Sequence, residues 1–539
     1  MNRSAWLRHG LLGLGLGAVL FCGWQAVHSL FSRSGSGGVT LRFSHWQLEP
    51  GVRRAFDVLS RRYETLHPGV HVEQLAIPSG IYRQWTTSQL IGGEAPDLVQ
   101  LGLGVIGGRF FDYFQPITAE VNRPNPYNAG TALARVPWRN TFNDGMATGY
   151  DPETFECYGA SLFAVTIRFY CNLPLLRRTT GRTEPPATFR ELQQVCAEVR
   201  DYDRRTGERI DPIAGSTLAG QLMFDDLFRT QTQALATRLD PLTNFPVPDD
   251  AFGLAYLNGQ WSLRDPDLHA AAELLRVAGS LLPPGFEQIA NDQVNFRFVQ
   301  EQAVMLAGFS LQATGVLGQV SFPVRIFRLP EPAPDDPQFG PQMHGRNAEG
   351  GLQTYGGFGL TRASRHPELA LDFLQFLTSQ ASCRTFTEIS QSLPAVVGVP
   401  APVAMRSFMP DQHGYPRGPG FYGWGEPRAV LLNAQHLLLG PDGSADRFLA
   451  ELQDQLGPAI RRDFERGTVL RRGSIERIET SIAAAQHLLA LNSPNAVLAQ
   501  KFQSQVEAQN EMEAALYYTR LQLRRDQHRL DPAAGRTSD

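Results

Sequence analysis

The order of periodicities between Val39 and Leu101 constrains this chain most. Val39, Leu41 and Phe43 alternate with polar residues, which predicts a strand over 39–45. Val52, Ala55, Phe56, Leu59, Tyr63 and Leu66 then recur at helical spacing, and the stripe stops at His67-Pro68-Gly69. Val70–Ile77 reads as a second strand, Ile81–Ile91 as a helix and Asp97–Leu101 as a third strand. Strand, helix, strand, helix, strand in a stretch this short calls for an α/β domain with a largely parallel sheet. Such a sheet takes its ligands in the crevice beyond the carboxyl ends of its strands.

The rest of the chain sets the scale. Its 539 residues suffice for two or three domains with a large core. A net charge of −4 excludes a general nucleic-acid binder, which needs a basic footprint. Lys501 is the only lysine, and scattered arginines supply the other cations. That pattern reads either as genome composition bias or as a surface for bidentate anion capture. The five cysteines (22, 157, 171, 196 and 383) form no C-x-x-C pair and have no zinc spacing with histidine. Cys157 and Cys171 either bridge a hairpin or stay as buried thiols.

At the amino terminus, Arg3 and Arg8 precede the apolar run 10–27, and the Ser/Gly-rich linker 32–38 follows. Residues 1–31 therefore read as a signal peptide or an uncleaved signal anchor, with the bulk of the chain exported. At the other end, Ile475, Ile478, Ile482, Ala485 and Leu489 step by three and four. Ser493-Pro494 opens a further helix to about Leu530. Residues 468–530 thus predict a helical hairpin, docked on the carboxyl-terminal lobe or on a partner, and 531–539 a disordered tail.

Between these ends lies a second informative block, Tyr355–Pro394. A glycine-rich strand leads to Pro367, which suits a first helical turn. Ala370, Phe373, Leu374 and Leu377 share one face of the helix that follows, and Ser379 can cap the next helix. This block resembles a segment of the family 1 extracellular solute-binding proteins, the receptors of carbohydrate ABC importers. The opening FSHW (43–46), the helix ending at Pro68-Gly69 and Gly93-Glu-Ala-Pro96-Asp97 resemble that family's first elements. RFYCN (168–172), EPPATFRELQQVC (184–196) and FVQEQAVMLAGFS (298–310) resemble later motifs, although Glu301, Val304 and Ser310 depart from the pattern.

The resemblance implies a two-lobe, periplasmic-binding-protein-like (Venus flytrap) α/β fold with three inter-lobe crossings, plus the carboxyl-terminal helical hairpin. The implied amino-terminal lobe is 39–162 with 358–412, and the carboxyl-terminal lobe 163–357 with 413–467. The crossings are expected near 160–165, 356–360 and 410–420. Sugar binding needs flat aromatic faces and planar polar groups in a mostly apolar cleft. Family-matched candidates are Trp46, Gln47, Phe163, Phe224, Asp225, Phe309, Tyr355, Tyr422 and Trp424. Gly102 belongs to a loop where small residues would let backbone amides approach a ligand. Arg168 serves either as a cleft clamp for hydroxyls or carboxylates or as a surface ion pair.

Gly102, Gly104 and Gly107 also match G-x-G-x-x-G, but they follow the third strand, and Tyr127-Asn128 stand where an acid is needed. No cofactor or metal is expected, and no catalytic motif for zinc, serine or P-loop chemistry occurs. The resemblance implies a non-enzymatic, periplasmic or otherwise extracytoplasmic, membrane-tethered monomer. It would bind a mono- or oligosaccharide or polyol and deliver it to ABC permease subunits. The alternative is a tethered sugar sensor or adaptor on the same fold.

Overall fold

The structure is a computed structural model that describes residues 38–102, 112–151, 155–240, 249–289, 291–350, 353–420, 425–440, 442–491 and 495–530. The amino-terminal apolar segment, the tail after 530, and Tyr422 and Trp424 lie outside the described residues. Among the described residues, no helix is long and apolar enough to cross a membrane.

The chain runs through β1 (Val39–His45), β2 (Val70–Ala76), β3 (Leu98–Gln100), β4 (Tyr150–Asp151), β5 (Glu156–Cys157), β6 (Gly159–Ala160) and β7 (Phe163–Val165). It continues through β8 (Ile167–Asn172), β9 (Asp211–Ala214), β10 (Ala303–Phe309), β11 (Val324–Phe327), β12 (Gln353–Thr354), β13 (Phe358–Leu360) and β14 (Leu393–Pro394). The first sheet has the order β2-β1-β3-β13-β6. Its β1, β2 and β3 are parallel, with Val39 opposite Val70 and Phe43 opposite Leu98, as the opening periodicity requires.

Helix Pro50–Leu66 covers this sheet through Val52, Ala55, Phe56, Leu59 and Tyr63. Leu66, expected on the same stripe, is exposed at the last residue of the helix. Helix Pro367–Leu377 buries Ala370, Phe373, Leu374 and Leu377 against the same core. Ser379 caps the next helix, Gln380–Ser390, by accepting a hydrogen bond from the Ser382 amide.

The second sheet has the order β11-β8-β10-β9, with β8 antiparallel to β10 and β9 parallel to it. Helix Phe189–Thr206, capped by Thr188, packs with Thr217–Gln231 and Pro266–Leu281 in a separate apolar core. A small antiparallel sheet, β12-β7-β14, stands between the two large ones. Through β7 the chain passes from β6 in the first sheet to β8 in the second, and through β12 it returns to β13. The architecture is two α/β lobes joined by short strands.

The last passage comes earlier than 410–420. Val399 still packs in the first-lobe core, whereas Met405 and Phe408 already pack with Tyr170 and Leu306 of the second sheet. Thr166 Oγ1 donates to the Phe408 carbonyl at 2.6 Å. The chain therefore crosses through Val399-Pro400-Ala401-Pro402, and the glycines of 410–420 lie beyond the hinge.

The carboxyl-terminal hairpin is real but longer than expected. Its first helix runs unbroken from Ala445 to Leu491, so 467 falls inside it, and its second spans Ala496–Leu530. Ile475 and Ala485 of the expected seam are buried. Cys157, Cys171, Cys196 and Cys383 are buried free thiols, and the Cys157–Cys171 bridge does not form.

Candidate functional site

Strand β1 delivers Trp46 and Gln47 to the carboxyl edge of the first sheet, where a doubly wound sheet binds ligands. Gln100, at the end of β3, holds the neighbouring pieces together. Its side-chain oxygen accepts from the Trp46 amide at 3.4 Å, and its amide donates to the Gly356 carbonyl at 2.9 Å. Tyr82 Oη donates to the Gln100 carbonyl at 2.9 Å.

The Trp46 ring stands edge-on to Tyr82 at 5.1 Å and to Tyr355 at 6.0 Å. Phe309, at the end of β10 in the second lobe, stacks on Tyr355 at 6.0 Å with 29° between the planes. Trp46, Tyr355 and Phe309 thus form a continuous aromatic row from the first lobe, across the second crossing, to the second lobe. Such rings offer flat apolar faces and, in Tyr355 and Trp46, a polar edge.

The residues that follow Trp46 in the chain carry polar atoms that the fold does not satisfy. Gln47 is 2 % exposed, and neither atom of its side-chain amide has a hydrogen-bond partner among the described residues. Glu49 Oε2 is likewise buried without a partner, and burial raises the pKa of its carboxyl group. An unpaired buried amide costs roughly 1–3 kcal/mol, so its persistence calls for a ligand or water to complete it. His45, one residue before Trp46, is buried, which lowers its pKa to about 4 and keeps it neutral near pH 7. Its Nε2 pairs with Gln74 Oε1 at 2.8 Å.

Gly102 borders the Trp46 ring. Its φ is +140°, and a Cβ there would lie 2.6 Å from Trp46 Cη2. Gly356, at φ +62°, would meet Gln100 and Trp46 in the same way. Both glycines leave room for the tryptophan ring.

Three other expected site residues lie in packed interiors. Phe163 is fully buried and stacks on Phe386 in the first-lobe core. Phe224 packs edge-on to Phe286 in the second-lobe core. Arg168 is 3 % exposed and grips Glu349 with both arms at 2.6 and 2.9 Å. It also donates to the carbonyls of Ile167 at 2.7 Å, Ser407 at 3.2 Å and Met409 at 2.7 Å. It is neither a cleft clamp nor a surface pair but a buried knot tying β8 to the segment after the third crossing. Asp225 pairs with Arg229 at 2.8 Å, and Arg229 donates to the Gly418 carbonyl at 3.1 Å. That pair braces the chain just before the segment of Tyr422 and Trp424.

Reasoning from the sequence missed Gln100, Tyr82 and Glu49. A glutamine closing a buried parallel strand was the available signal for Gln100, since an uncharged amide can bridge two loops there. Nothing in the sequence marked Glu49 apart from its place two residues after Gln47.

Comparison with known proteins bears on this arrangement. Residues 59–407 match the model of one protein family, described as bacterial extracellular solute-binding protein. No curated protein sequence matches the chain. Among solved structures, a chitin oligosaccharide binding protein superimposes with a TM-score of 0.54 at 15 % identity, covering 79 % of this chain and 100 % of its own. Maltose-bound MalE3 of T. maritima gives 0.53 at 16 % identity, over 78 % and 99 % of the two chains. The sugar-binding protein MalE of the phytopathogen Xanthomonas citri gives 0.51 at 15 %, over 79 % and 98 %. At these identities the likeness is one of fold: two lobes around a cleft. The family match stops at 407, so the hairpin lies outside it.

Proposed function

The chain belongs to the bacterial extracellular solute-binding protein family, and from that premise we propose that it captures a carbohydrate between its lobes and delivers it to the permease of an ABC importer. The observation that carries this reading is the row Trp46–Tyr355–Phe309, which spans both lobes and is followed in the chain after Trp46 by the unpaired amide of Gln47. Sugar rings stack their C–H faces on such aromatics, and planar amides bind their hydroxyls in pairs. The solved relatives named for maltose, for chitin oligosaccharide and for sugar in general share the two-lobe frame.

Binding closes the lobes by bending at the β7–β12–β14 strands, a population shift toward the closed state. The role is capture rather than catalysis, with the protein extracytoplasmic, tethered by its amino-terminal segment and monomeric. Thermal unfolding with a panel of malto-, chito- and raffinose-type oligosaccharides tests this. A ligand at about a hundred times its Kd adds roughly 2.7 kcal/mol of stability and a clear rise in melting temperature. A flat panel would remove the carbohydrate reading.

A further inference from the structure

The hairpin rests on both lobes, and it does so by two different kinds of contact. At its base, Phe448, Leu452, Leu456 and Ile460 of the first helix are buried in the second-lobe core, as is Leu523 of the second helix. Polar contacts there are also tight. Asp526 is fully buried and takes two hydrogen bonds from Arg461 at 2.7 and 2.9 Å, while Asn258 donates to Gln522 at 2.9 Å. The base is therefore an integral part of the second lobe.

Near its tip the hairpin touches the first lobe instead. Lys501, the only lysine of the chain, pairs with Glu120 at 3.2 Å. The neighbouring Gln500 accepts a hydrogen bond from Arg123 and donates to the Ala119 carbonyl at 3.3 Å. Arg477, on the other helix, approaches Asp112 at 3.7 Å. These pairs are polar, and two cavities of about 430 and 420 Å³ flank them, both lined by Thr118 and Ser504, the second also by Val121, Met146 and the buried Ala508. Ion pairs with one solvent-exposed partner are worth about 0–1 kcal/mol each. Parting such pairs costs less than withdrawing the apolar base from its core.

We propose that the hairpin is a strap: fused to the second lobe at its base and latched to the first lobe at Glu120–Lys501 and Arg123–Gln500, it restrains movement of the lobes about the hinge. Any rotation at β7–β12–β14 displaces the first lobe relative to the second. Since the base moves with the second lobe, the displacement is taken up at the tip. Latching thus biases the lobes toward the arrangement in which the pairs form, and release widens the range of cleft openings.

The test uses full-length protein without ligand, so its outcome does not depend on what the cleft binds. Donor and acceptor dyes on Arg62→Cys and Thr183→Cys, in a Cys22→Ser background, report inter-lobe distance by single-molecule energy transfer. Amide exchange across 496–511 reports latching. Glu120→Lys, which sets two cations face to face, is expected to speed exchange there about two- to fivefold and to broaden the distance distribution. The swap Glu120→Lys with Lys501→Glu is expected to restore both and also controls for a folding defect. Unchanged exchange in Glu120→Lys would overturn the latch. Faster exchange with an unchanged distance distribution would overturn the strap.

Discussion

Two polar clusters, one in each lobe, differ in how far their side chains are paired, although each lobe holds other buried atoms without a partner among the described residues. In the second lobe, Arg168 and Glu349 are matched atom for atom, and the network extends through Arg328 to Glu331 at 2.9 Å and to Asp411 at 3.5 Å. The Asp411 amide closes it by donating to Glu349 at 2.7 Å. In the first lobe, both amide atoms of buried Gln47 and the Oε2 atom of Glu49 have no partner among the described residues, in the segment that follows Trp46. Satisfied polar groups fix a fold, while unsatisfied ones at a cleft hold binding capacity in reserve. The contrast separates residues that share the chemistry of a binding site from residues placed to serve as one.

Substitutions at the two places should therefore diverge. The largest stability loss is expected for Glu349→Ala, which strands the Arg168 guanidinium in a buried setting. A cost of about 3–5 kcal/mol is expected by denaturant unfolding. A loss below 1 kcal/mol would show that the knot is not a structural tie.

Next is pH, through His45. Its folded pKa of about 4 lies below the ordinary 6.5, so the folded state binds fewer protons between those values. The stability it contributes is whole above about pH 6.5 and is lost as pH falls toward 4, by roughly 2–3 kcal/mol. His45→Gln should flatten the stability profile in that window, and an unaltered slope would place the acid sensitivity elsewhere.

Gly102→Ala is expected to cost about 1–3 kcal/mol, from backbone strain at positive φ together with the collision with Trp46. A neutral result would mean that the Trp46 ring has space to move. The smallest stability effect is expected for Gln47→Leu. It removes an unpaired amide at similar volume, so unfolding should change by less than about 1 kcal/mol or improve. Sugar affinity should nevertheless fall about tenfold, measured by calorimetric titration.

Much of the first lobe was legible because its elements are amphipathic. The stripe at 52–63 and the face Ala370–Leu377 each had one burial solution, and the parallel order of β1, β2 and β3 followed from their spacing. Of the residues expected at the site, Trp46, Tyr355 and Phe309 come together in the structure, because they stand at strand ends or at a crossing. Phe163 and Phe224 were not separable from them, because an aromatic side chain suits a core and a sugar face equally well. Arg168 was misjudged for a topological reason. Its partners Glu349, Ser407 and Met409 are 181 or more residues away, and strand alternation tells only that a side chain points to one face. The third crossing was drawn toward the glycines of 410–420, yet the alternation Pro400, Pro402 marked the extended segment that makes it.

The central claim is that the row Trp46–Tyr355–Phe309 receives a carbohydrate. Calorimetric titration of wild type and Tyr355→Ala with the oligosaccharide that gives the largest thermal shift tests it most directly. Saturable binding to wild type and at least a tenfold loss in the variant are expected, with cooperative unfolding retained. Equal affinity in the two proteins would contradict it.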